Sequence, residues 1–254
     1  MDGSDPRDAG GAGAGETPGG IQLALAFASQ PALDFAEYLA GPNAEAVAAL
    51  QVWARRGTGP TADRFLALCG PPGTGKTHLL KAACRAALEA DLRAAYLPLD
   101  HPGLDPSVLN GLEGLDRIAL DALEVIAGQP AWEHALFALF NRLRELGRGL
   151  LIAVRRPPAE LGFLLPDLAS RLTWGPTYGL RPLDELGCAD LLRQGARRRG
   201  LPLGEEAIAY LIKRCPREPG FLLALLKDLD QASLSHRRRP TLPLIRELLR
   251  ARES

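Results

Sequence analysis

Residues 65–80 read FLALCGPPGTGKTHLL, and this stretch decides the fold. The apolar run Phe65–Cys69 ends at a glycine and predicts a short buried β-strand. Gly70–Thr77 then fits the pattern G-x-x-x-x-G-K-[ST], and Lys76 opens a segment with apolar residues at helical spacing. Glycines let the backbone wrap close to phosphate oxygens, and the free N–H groups at a helix start attract anions. Strand, loop and helix in this order therefore predict a phosphate-binding loop.

Each part of the loop has an expected role in holding phosphate. Lys76 is expected to reach the β- and γ-phosphates, and the Thr77 hydroxyl is expected to bind Mg²⁺. The predicted nucleotide-binding residues are Gly70, Pro71, Pro72, Gly73, Thr74, Gly75, Lys76, Thr77 and His78. The motif predicts a purine nucleotide, ADP or ATP, with Mg²⁺, and leaves the choice between the two nucleotides open.

An aspartate at the end of another apolar run completes the predicted metal site. Asp121 ends the run Ile118–Asp121, where proteins with this loop place the acid that holds the metal or its water. Asp121 is therefore predicted to act in catalysis and, with Thr77, to hold Mg²⁺. A strand-end acid can instead cap the next helix, so this signal is weaker than the loop itself.

Strands and helices alternate from residue 65 onward, which predicts a parallel sheet flanked by helices. Strands are predicted over 65–69, 94–99, 117–121 and 150–154, and helices over 45–55, 76–90 and 132–146. Beyond residue 180 the pattern is helical, with helices predicted over 184–199, 205–213, 221–235 and 242–252. The predicted fold class is an α/β nucleotide-binding base over 28–180, followed by a small all-helical lid over 181–254.

The composition is that of a globular protein with no overall charge. The chain has 254 residues, 46% of them hydrophobic, and its 30 lysines and arginines equal its 30 acids. Balanced charge gives no general attraction to nucleic acid. Residues 1–20 are rich in glycine, alanine, aspartate and proline, so they predict a disordered tail and not a signal peptide. No apolar run is long enough to cross a bilayer, and the chain is expected to be cytoplasmic.

Cysteine and histidine usage argues against a disulfide framework and against zinc. The four cysteines, at positions 69, 84, 188 and 215, form no closely spaced pair and are expected to be reduced, and the four histidines are scattered. The basic runs 197–199 and 237–239 are expected to be solvated. Trp132 and Trp174 are expected to pack in the structure and not to stack on nucleic-acid bases.

Three segments together resemble the DnaA-related branch of the AAA+ ATPases. GKTHLL at 75–80 resembles the phosphate loop of the replication initiator DnaA, LPDLASRLTWG at 165–175 resembles the segment with that family's arginine finger, and 213–234 resembles its helical lid. The resemblance covers about residues 21–252. It implies the AAA+ fold and a catalytic Arg171 that acts in trans on ATP held by DnaA. From spacing alone, a surface arginine paired with Asp167 is the commoner arrangement.

The segment IQLALAF at 21–27 is similar to the short peptide by which such proteins dock on the β sliding clamp. A polar head and apolar side chains would enter the clamp pocket. The predicted clamp-binding residues are Gln22, Leu23, Leu25 and Phe27. Without the resemblance, the same alternation fits a first strand at a sheet edge.

The resemblance implies DnaA and the β sliding clamp as partners, with DNA contacted through the clamp and no membrane. Because no helix-turn-helix DNA-binding segment follows the lid, the chain is expected to regulate replication initiation, as the regulatory relatives of DnaA do. It would stimulate hydrolysis of DnaA-bound ATP and leave DnaA in its inactive ADP form. The sequence leaves the oligomeric state open, a homo-oligomer included.

Three positions depart from the family pattern. Ala122 follows Asp121 where a second acid is common, and Glu124 lies two residues further on. Arg155 takes the place of the polar residue that senses the γ-phosphate. Gly220 takes the place of a lid arginine that touches the nucleotide, although Arg214 and Arg217 lie nearby. Since turnover needs groups that position water and stabilise charge, we predict weak or absent ATP hydrolysis by this chain itself.

Two other functions fit the phosphate loop. A helicase- or transposase-loader-type DNA-binding ATPase shares the fold, but it needs intact γ-phosphate sensors and a basic single-strand channel. A small-molecule P-loop kinase needs an arginine-rich lid beside the acceptor phosphate. The sequence shows neither feature of the loader, and the clamp-like segment 21–27 and the four-helix lid do not fit a kinase, which favours the regulator.

Overall fold

The computed structural model describes residues 33–55, 64–236 and 240–253. At its centre is a sheet of five strands, all parallel to their neighbours, in the order β2-β3-β4-β1-β5. The strands are β1 Phe65–Cys69, β2 Ala94–Pro98, β3 Arg117–Asp121, β4 Gly149–Val154 and β5 Thr177–Gly179. The predicted α/β class with a parallel sheet is confirmed.

Helices flank this sheet and then form the lid. The base contains α1 Ala44–Trp53, α2 Lys76–Glu89, α3 Pro130–Glu145 and α4 Pro166–Leu172. The lid contains α5 Glu185–Arg198, α6 Glu205–Arg214, α7 Pro219–His236 and α8 Leu242–Glu253. Short 3-10 helices span Phe35–Glu37, Gly41–Asn43, Pro106–Leu109, Leu112–Gly114, Leu123–Ile126 and Pro158–Glu160.

Each central strand contributes side chains to both faces of the sheet, because successive residues of a strand point in opposite directions. On β1, Phe65 and Ala67 join one buried cluster, which α3 and α4 cover. Leu66 and Leu68 join the cluster on the other face, which α1 and α2 cover. Both faces of the sheet are therefore buried, which explains the near-continuous apolar strand sequences.

The lid has a hydrophobic core of its own. Its buried residues come from α5, α6, α7 and α8, with Leu192 and Leu226 among them. Leu180 belongs to the base cluster on the side of α1 and α2, whereas Leu183 packs against the lid core. The predicted division between residues 180 and 181 lies between these two leucines. Leu39, which precedes α1, also packs against the lid core and so links base and lid.

One β-strand and one α-helix, β5 and α4, are not predicted by the sequence analysis. β5 has only three residues, partly exposed, and its segment contains no apolar run that would predict a strand. It pairs with β1 at the sheet edge. α4 is a seven-residue helix that begins at Pro166, where proline suits the first helical position. Short elements of this kind depend on contacts with the rest of the fold more than on their own pattern.

Several expectations on side chains can be compared with the structure. Cys69, Cys84, Cys188 and Cys215 are all free thiols. Trp132 is buried as expected, whereas Trp174 packs on Phe140 but is 53% exposed. Among the described residues, no helix is long and apolar enough to span a bilayer. No group of three or more His, Cys, Asp or Glu side chains within the same residues could hold a metal ion.

Candidate nucleotide-binding site

The phosphate loop begins at the carboxyl edge of the sheet. β1 lies between β4 and β5, and the N–H of Gly70 donates to the carbonyl of Val154 at 3.1 Å. β3, which ends at Asp121, lies on the other side of β4. The ends of three adjacent strands thus bring the loop, Asp121 and Arg155 to one edge, which is where open α/β sheets bind ligands.

The loop conformation requires glycine at two positions. Gly73 and Gly75 have φ angles of +80° and +86°, a region that other residues rarely adopt. A Cβ on Gly75 would lie 2.6 Å from Cε2 of Tyr38, and a Cβ on Gly73 would lie 3.4 Å from Cγ of Glu218. The loop is therefore tightly covered by Tyr38 on one side and by the start of the lid helix α7 on the other.

Lys76 lies across the loop that it follows. Its ammonium group donates to the carbonyl oxygens of Gly70 at 2.6 Å and Pro71 at 2.9 Å. Partial burial lowers the pKa of Lys76, and the nearby carboxylates of Glu124 and Asp121 oppose this shift. A cation held in this position can bind anionic phosphate oxygens in exchange for the loop carbonyls.

Thr77 and Asp121 lie side by side, as the predicted magnesium site requires. The Thr77 hydroxyl donates to Oδ2 of Asp121 at 2.6 Å, and the Tyr96 hydroxyl donates to the same oxygen at 2.9 Å. The N–H of Ala122 donates to Oδ1 at 2.9 Å. Burial, together with the Asp121 carboxylate, raises the pKa of Tyr96, so Tyr96 remains a donor. These hard oxygen ligands fit Mg²⁺, which Thr77 and Asp121 would hold.

His78 faces the segment before α1 and not the middle of the loop. Its Nε2 donates to the carbonyl of Asp34 at 2.8 Å, and its ring lies 5.6 Å from that of Tyr38 between centroids. Burial lowers the pKa of His78, which favours the neutral ring. The structure therefore gives His78 a part in holding residues 34–38 against the loop.

Tyr38 and Asn43 connect the phosphate loop to the first residues of the lid. The Tyr38 hydroxyl donates to the carbonyl of Thr74 at 2.9 Å and accepts from Nδ2 of Asn43 at 2.9 Å. Nδ2 of Asn43 also donates to the Arg181 carbonyl at 2.9 Å, and Oδ1 accepts from the Arg181 N–H at 2.8 Å. Neither Tyr38 nor Asn43 is predicted from the sequence, since both belong to a segment without a recognised motif.

Ala122 has a left-handed backbone, with φ +54°. This conformation costs a residue with a Cβ about 1–2 kcal/mol. It turns the chain from β3 into the 3-10 helix Leu123–Ile126, so that the Ala122 N–H reaches the Asp121 carboxylate. The position that departs from the family pattern is therefore strained, and it helps to fix Asp121.

Replacing Ala122 by glycine is expected to raise the free energy of unfolding by about 0.5–1 kcal/mol. The substitution removes the backbone strain of the folded state, and this effect exceeds the opposing effect of the greater conformational entropy of the unfolded chain. Chemical denaturation measures this change. Ala127→Gly is the matched control. Ala127 has a φ of −63°, so glycine relieves no strain at this position. Only the greater conformational entropy of the unfolded chain remains, and the variant should be less stable than the parent. Equal destabilisation by both substitutions would contradict the account.

Of the two other departures, contacts account for the position of Arg155, and nothing in the structure explains Gly220. Arg155 forms an ion pair with Glu124, with 2.9 Å between Nε and Oε1. Gly220 has no side chain that could reach the loop, although a Cβ at this position would meet nothing within 4 Å. Arg217 pairs with Glu185 at the start of α5, and Arg214 is exposed at the end of α6. Glu218, just before α7, lies beside the loop, with its Cγ 3.4 Å from where a Cβ on Gly73 would stand.

Arg171 lies on α4 with its guanidinium held by α3. Nε donates to Oδ1 of Asn141 at 3.0 Å, and the guanidinium carbon lies 4.4 Å from the ring centroid of Phe137. Nη1 donates to the backbone carbonyl of Asp167 at 3.2 Å, while the Asp167 carboxylate is 3.9 Å away. The side chain is 26% exposed, so it is ordered yet open to a partner. Pairing with the Asp167 carboxylate is thus the weakest of its contacts.

Glu133 is a positioning residue that the sequence analysis does not identify. It is fully buried on α3. Oε1 accepts from the N–H groups of Gly128 at 2.7 Å and Leu164 at 3.1 Å, and Oε2 accepts from Leu165 at 2.8 Å. Leu165 directly precedes α4, so Glu133 fixes the start of the helix that carries Arg171.

Replacing Glu133 by glutamine is expected to lower the free energy of unfolding by about 2 kcal/mol, because the amide NH₂ would face a buried N–H donor. Chemical denaturation measures the loss. Glu145→Gln makes the same change at an exposed position of α3, and it should shift stability by less than about 0.5 kcal/mol. Similar stabilities for both variants would contradict the positioning role.

The predicted clamp-binding residues Gln22, Leu23, Leu25 and Phe27 lie outside the described residues, as does the predicted tail 1–20. They remain predictions.

Comparisons with known proteins agree with this geometry. Residues 185–249 match the family model described as Hda, lid domain. Domain III of the Thermotoga maritima replication initiation protein DnaA is 23% identical, with a TM-score of 0.73, over 87% of this chain and 97% of that chain. AMPPCP-bound DnaA from Aquifex aeolicus is 22% identical, with a TM-score of 0.65, over 78% of this chain and 65% of that chain.

The Thermotoga maritima RuvB Holliday junction branch migration motor is also similar, at 16% identity and a TM-score of 0.63, over 84% of this chain and 69% of that chain. At such identities the likeness establishes the fold. The sheet order, phosphate loop and helical lid are those of the AAA+ P-loop fold. Residues 185–249 thus match the lid domain of Hda, and the chain as a whole is similar in fold to domain III of DnaA.

Proposed function

We propose that this chain binds ADP or ATP with Mg²⁺ at Gly70–Thr77. The loop glycines, Lys76 and the Thr77–Asp121 pair support this proposal, since together they offer a cradle, a cation and hard oxygen ligands. Two of the similar structures are DnaA proteins bound to AMPPCP, an analogue of ATP. The bound nucleotide would fix the base relative to the lid, because Glu218 lies against the loop.

The proposed action is regulation of replication initiation through DnaA. Arg171 would contact ATP held by a DnaA molecule and stabilise the charge that develops on the transferring phosphoryl group. DnaA would then remain in its ADP form and be unable to start another round. The observation that carries this proposal is the match of residues 185–249 to the Hda lid domain, in the same chain as a DnaA-like base.

Hydrolysis by the chain's own site is proposed to be slow. Gly220 offers no lid arginine, and Arg155 is paired with Glu124 at the place where a polar sensor, often Asp, Asn or Ser, is usual. Nucleotide would therefore serve mainly as a structural switch. Turnover by the isolated protein comparable to that of an active AAA+ ATPase would contradict this part of the proposal.

Residues 21–27 are proposed to dock on the β sliding clamp, between a disordered tail over 1–20 and the base over 28–180. The lid over 181–254 completes the proposed organisation. The clamp, loaded on DNA, would hold the protein where DnaA can meet Arg171. This arrangement raises the local concentration of the two proteins without needing direct DNA contact by the chain.

The proposal is tested by following labelled ATP bound to DnaA. Rapid conversion to ADP is expected when the full chain, nucleotide and DNA-loaded clamp are all present. Omission of either the chain or the clamp should return the rate to that of DnaA alone. Equal conversion with and without the chain would refute the proposed function, and clamp-independent conversion would refute the docking step.

Replacing Gln22 by alanine is expected to weaken clamp binding about tenfold, because the predicted peptide would lose its hydrogen-bonding head. A pull-down or surface-binding titration with purified clamp measures the change. Gln51→Ala removes the same group from an exposed position of α1 and should bind as the parent does. If both variants bind equally well, residues 21–27 do not form the proposed peptide.

A further inference from the structure

Three elements of the base converge on the carboxylate of Asp121. Tyr96, in the middle of β2, pairs with Ala119 of β3, so its side chain lies on the same face of the sheet as that of Asp121, two residues further along β3. α2 covers this face and brings Thr77 to the carboxylate. Hydroxyl groups from two separate elements, β2 and α2, therefore meet at one acid of the predicted magnesium site.

The donors to Asp121 differ in what else they are expected to bind. Oδ2 accepts from the hydroxyls of Thr77 at 2.6 Å and Tyr96 at 2.9 Å, and Oδ1 accepts from the Ala122 N–H at 2.9 Å. Asp121 is only 7% exposed, so its charge depends on such donors. Thr77 is itself a predicted metal ligand, and the Ala122 N–H holds the other oxygen. Tyr96 is thus the donor that can fix Oδ2 while Thr77 contacts the metal.

The Tyr96 ring is held so that its hydroxyl meets Asp121. The residue is 4% exposed and belongs to the buried cluster on the α1 and α2 side of the sheet. The ammonium group of Lys81, one turn after Thr77 on α2, lies 5.0 Å from the centroid of the ring. A cation over an aromatic face attracts its electrons, which makes the phenolic O–H a stronger donor. Packing and charge therefore both favour the hydrogen bond to the carboxylate.

We propose that Tyr96 is a positioning residue of the magnesium site, whose hydroxyl holds the Asp121 carboxylate in the orientation that the metal requires. Tyr96 acts through Asp121 and sets how tightly the nucleotide site takes up Mg²⁺. This inference rests on the proposed binding of nucleotide with Mg²⁺ at the loop. It adds to that site a residue of β2, a strand that the phosphate-loop pattern does not include.

Loss of this hydrogen bond should act on the metal and leave the phosphates in place. The phosphates would be held by the loop N–H groups and by the ammonium of Lys76, which lies over the loop carbonyls. Without Tyr96, Thr77 would be the remaining donor to Oδ2 among the described residues, and the same hydroxyl would also serve the metal. The Asp121 carboxylate could then turn about its Cβ–Cγ bond. Partners that orient metal ligands typically contribute about 10–100-fold to metal affinity.

The test compares Tyr96→Phe with the parent, both as the full chain, by calorimetry with ADP at stepped Mg²⁺ concentrations and in EDTA. Phenylalanine keeps the ring and removes only the hydroxyl. The Mg²⁺ concentration that gives half of the metal-dependent gain in ADP affinity is expected to rise about tenfold or more. ADP affinity in EDTA should change less than about twofold. In an Asp121→Ala chain, the same substitution should change the Mg²⁺ dependence less than about twofold, because the carboxylate that Tyr96 positions is absent.

Tyr210→Phe is the matched control, because it removes the same hydroxyl from α6 of the lid, and its Mg²⁺ dependence should equal that of the parent. Parental Mg²⁺ dependence in Tyr96→Phe, or equal losses of ADP affinity with and without Mg²⁺, would overturn the inference while nucleotide binding stands. An undiminished effect of Tyr96→Phe in the Asp121→Ala chain would do the same. If the parent chain binds no ADP under any of these conditions, the proposed nucleotide site itself fails. Thermal unfolding checks that each variant is folded.

Discussion

Replacing Arg171 by alanine is expected to slow the chain-dependent hydrolysis of DnaA-bound ATP by about 10³-fold or more, the range that arginine fingers supply elsewhere. The guanidinium is the only part of the side chain that can neutralise charge on a phosphoryl group. Alanine removes it entirely, while the surrounding α3 and α4 remain. Labelled DnaA-ATP conversion, with DNA-loaded clamp present, measures the effect.

The contacts of Arg171 separate this effect from loss of folding. The side chain is partly exposed and bonds to Asn141 and to the Asp167 backbone, so its removal leaves polar groups that water can reach. Stability, nucleotide affinity and clamp binding should stay close to those of the parent. Arg171→Lys keeps the charge but loses the planar fork, and it should recover only a small part of the rate.

Arg142→Ala is the matched control on α3. Arg142 is 55% exposed and pairs with Glu113, an interaction worth about 0–1 kcal/mol. Its removal should leave DnaA-ATP conversion within about twofold of the parent rate. Loss of conversion in both variants would point to a general effect of surface charge. Full conversion by Arg171→Ala would contradict the proposal that Arg171 is the arginine finger.

Replacing Lys76 by alanine is expected to weaken ADP and ATP binding about 100-fold, since a buried charge-assisted contact to phosphate contributes roughly 2–3 kcal/mol. The ammonium lies over the loop and is oriented by the Gly70 and Pro71 carbonyls, so it is pre-positioned for the ligand. Titration calorimetry with each nucleotide and Mg²⁺ measures the loss.

Lys213→Ala removes a lysine from an exposed position of α6 and should bind nucleotide as the parent does. The comparison excludes an effect of net charge alone. Should Lys76→Ala keep the affinity of the parent chain, the phosphate loop would not be the nucleotide site.

The core of the fold is predictable because its signals are local. The apolar runs of β1 and β3 coincide with the observed strands, and the loop pattern fixes where α2 begins. The helix–strand alternation then implies the parallel sheet. β5 and α4 could not be found in this way, because three and seven residues carry too little periodicity to identify an element.

The site residues that the sequence does not predict make contacts between segments that are far apart in the sequence. Tyr38 reaches Thr74, and Asn43 reaches Arg181, across separations that no spacing rule covers. Glu133 had a detectable signal, since it is three residues before Leu136 and seven before Phe140, on the buried stripe of α3. A glutamate at such a position must find donors, yet the sequence alone does not say that Leu164 and Leu165 supply them.

The hydrogen bonds of Tyr38 and Asn43 also limit where the chain can be shortened. A fragment designed to begin at α1, residue 44, would lack the hydroxyl that holds the Thr74 carbonyl and the amide that pairs with Arg181. Such a fragment would keep the whole Gly70–Thr77 sequence, yet its phosphate loop would lack the hydrogen bond to Thr74 and the first residue of its lid, Arg181, would lack its hydrogen bonds to Asn43. Removing the proposed clamp peptide without losing these contacts therefore requires a cut ahead of Tyr38.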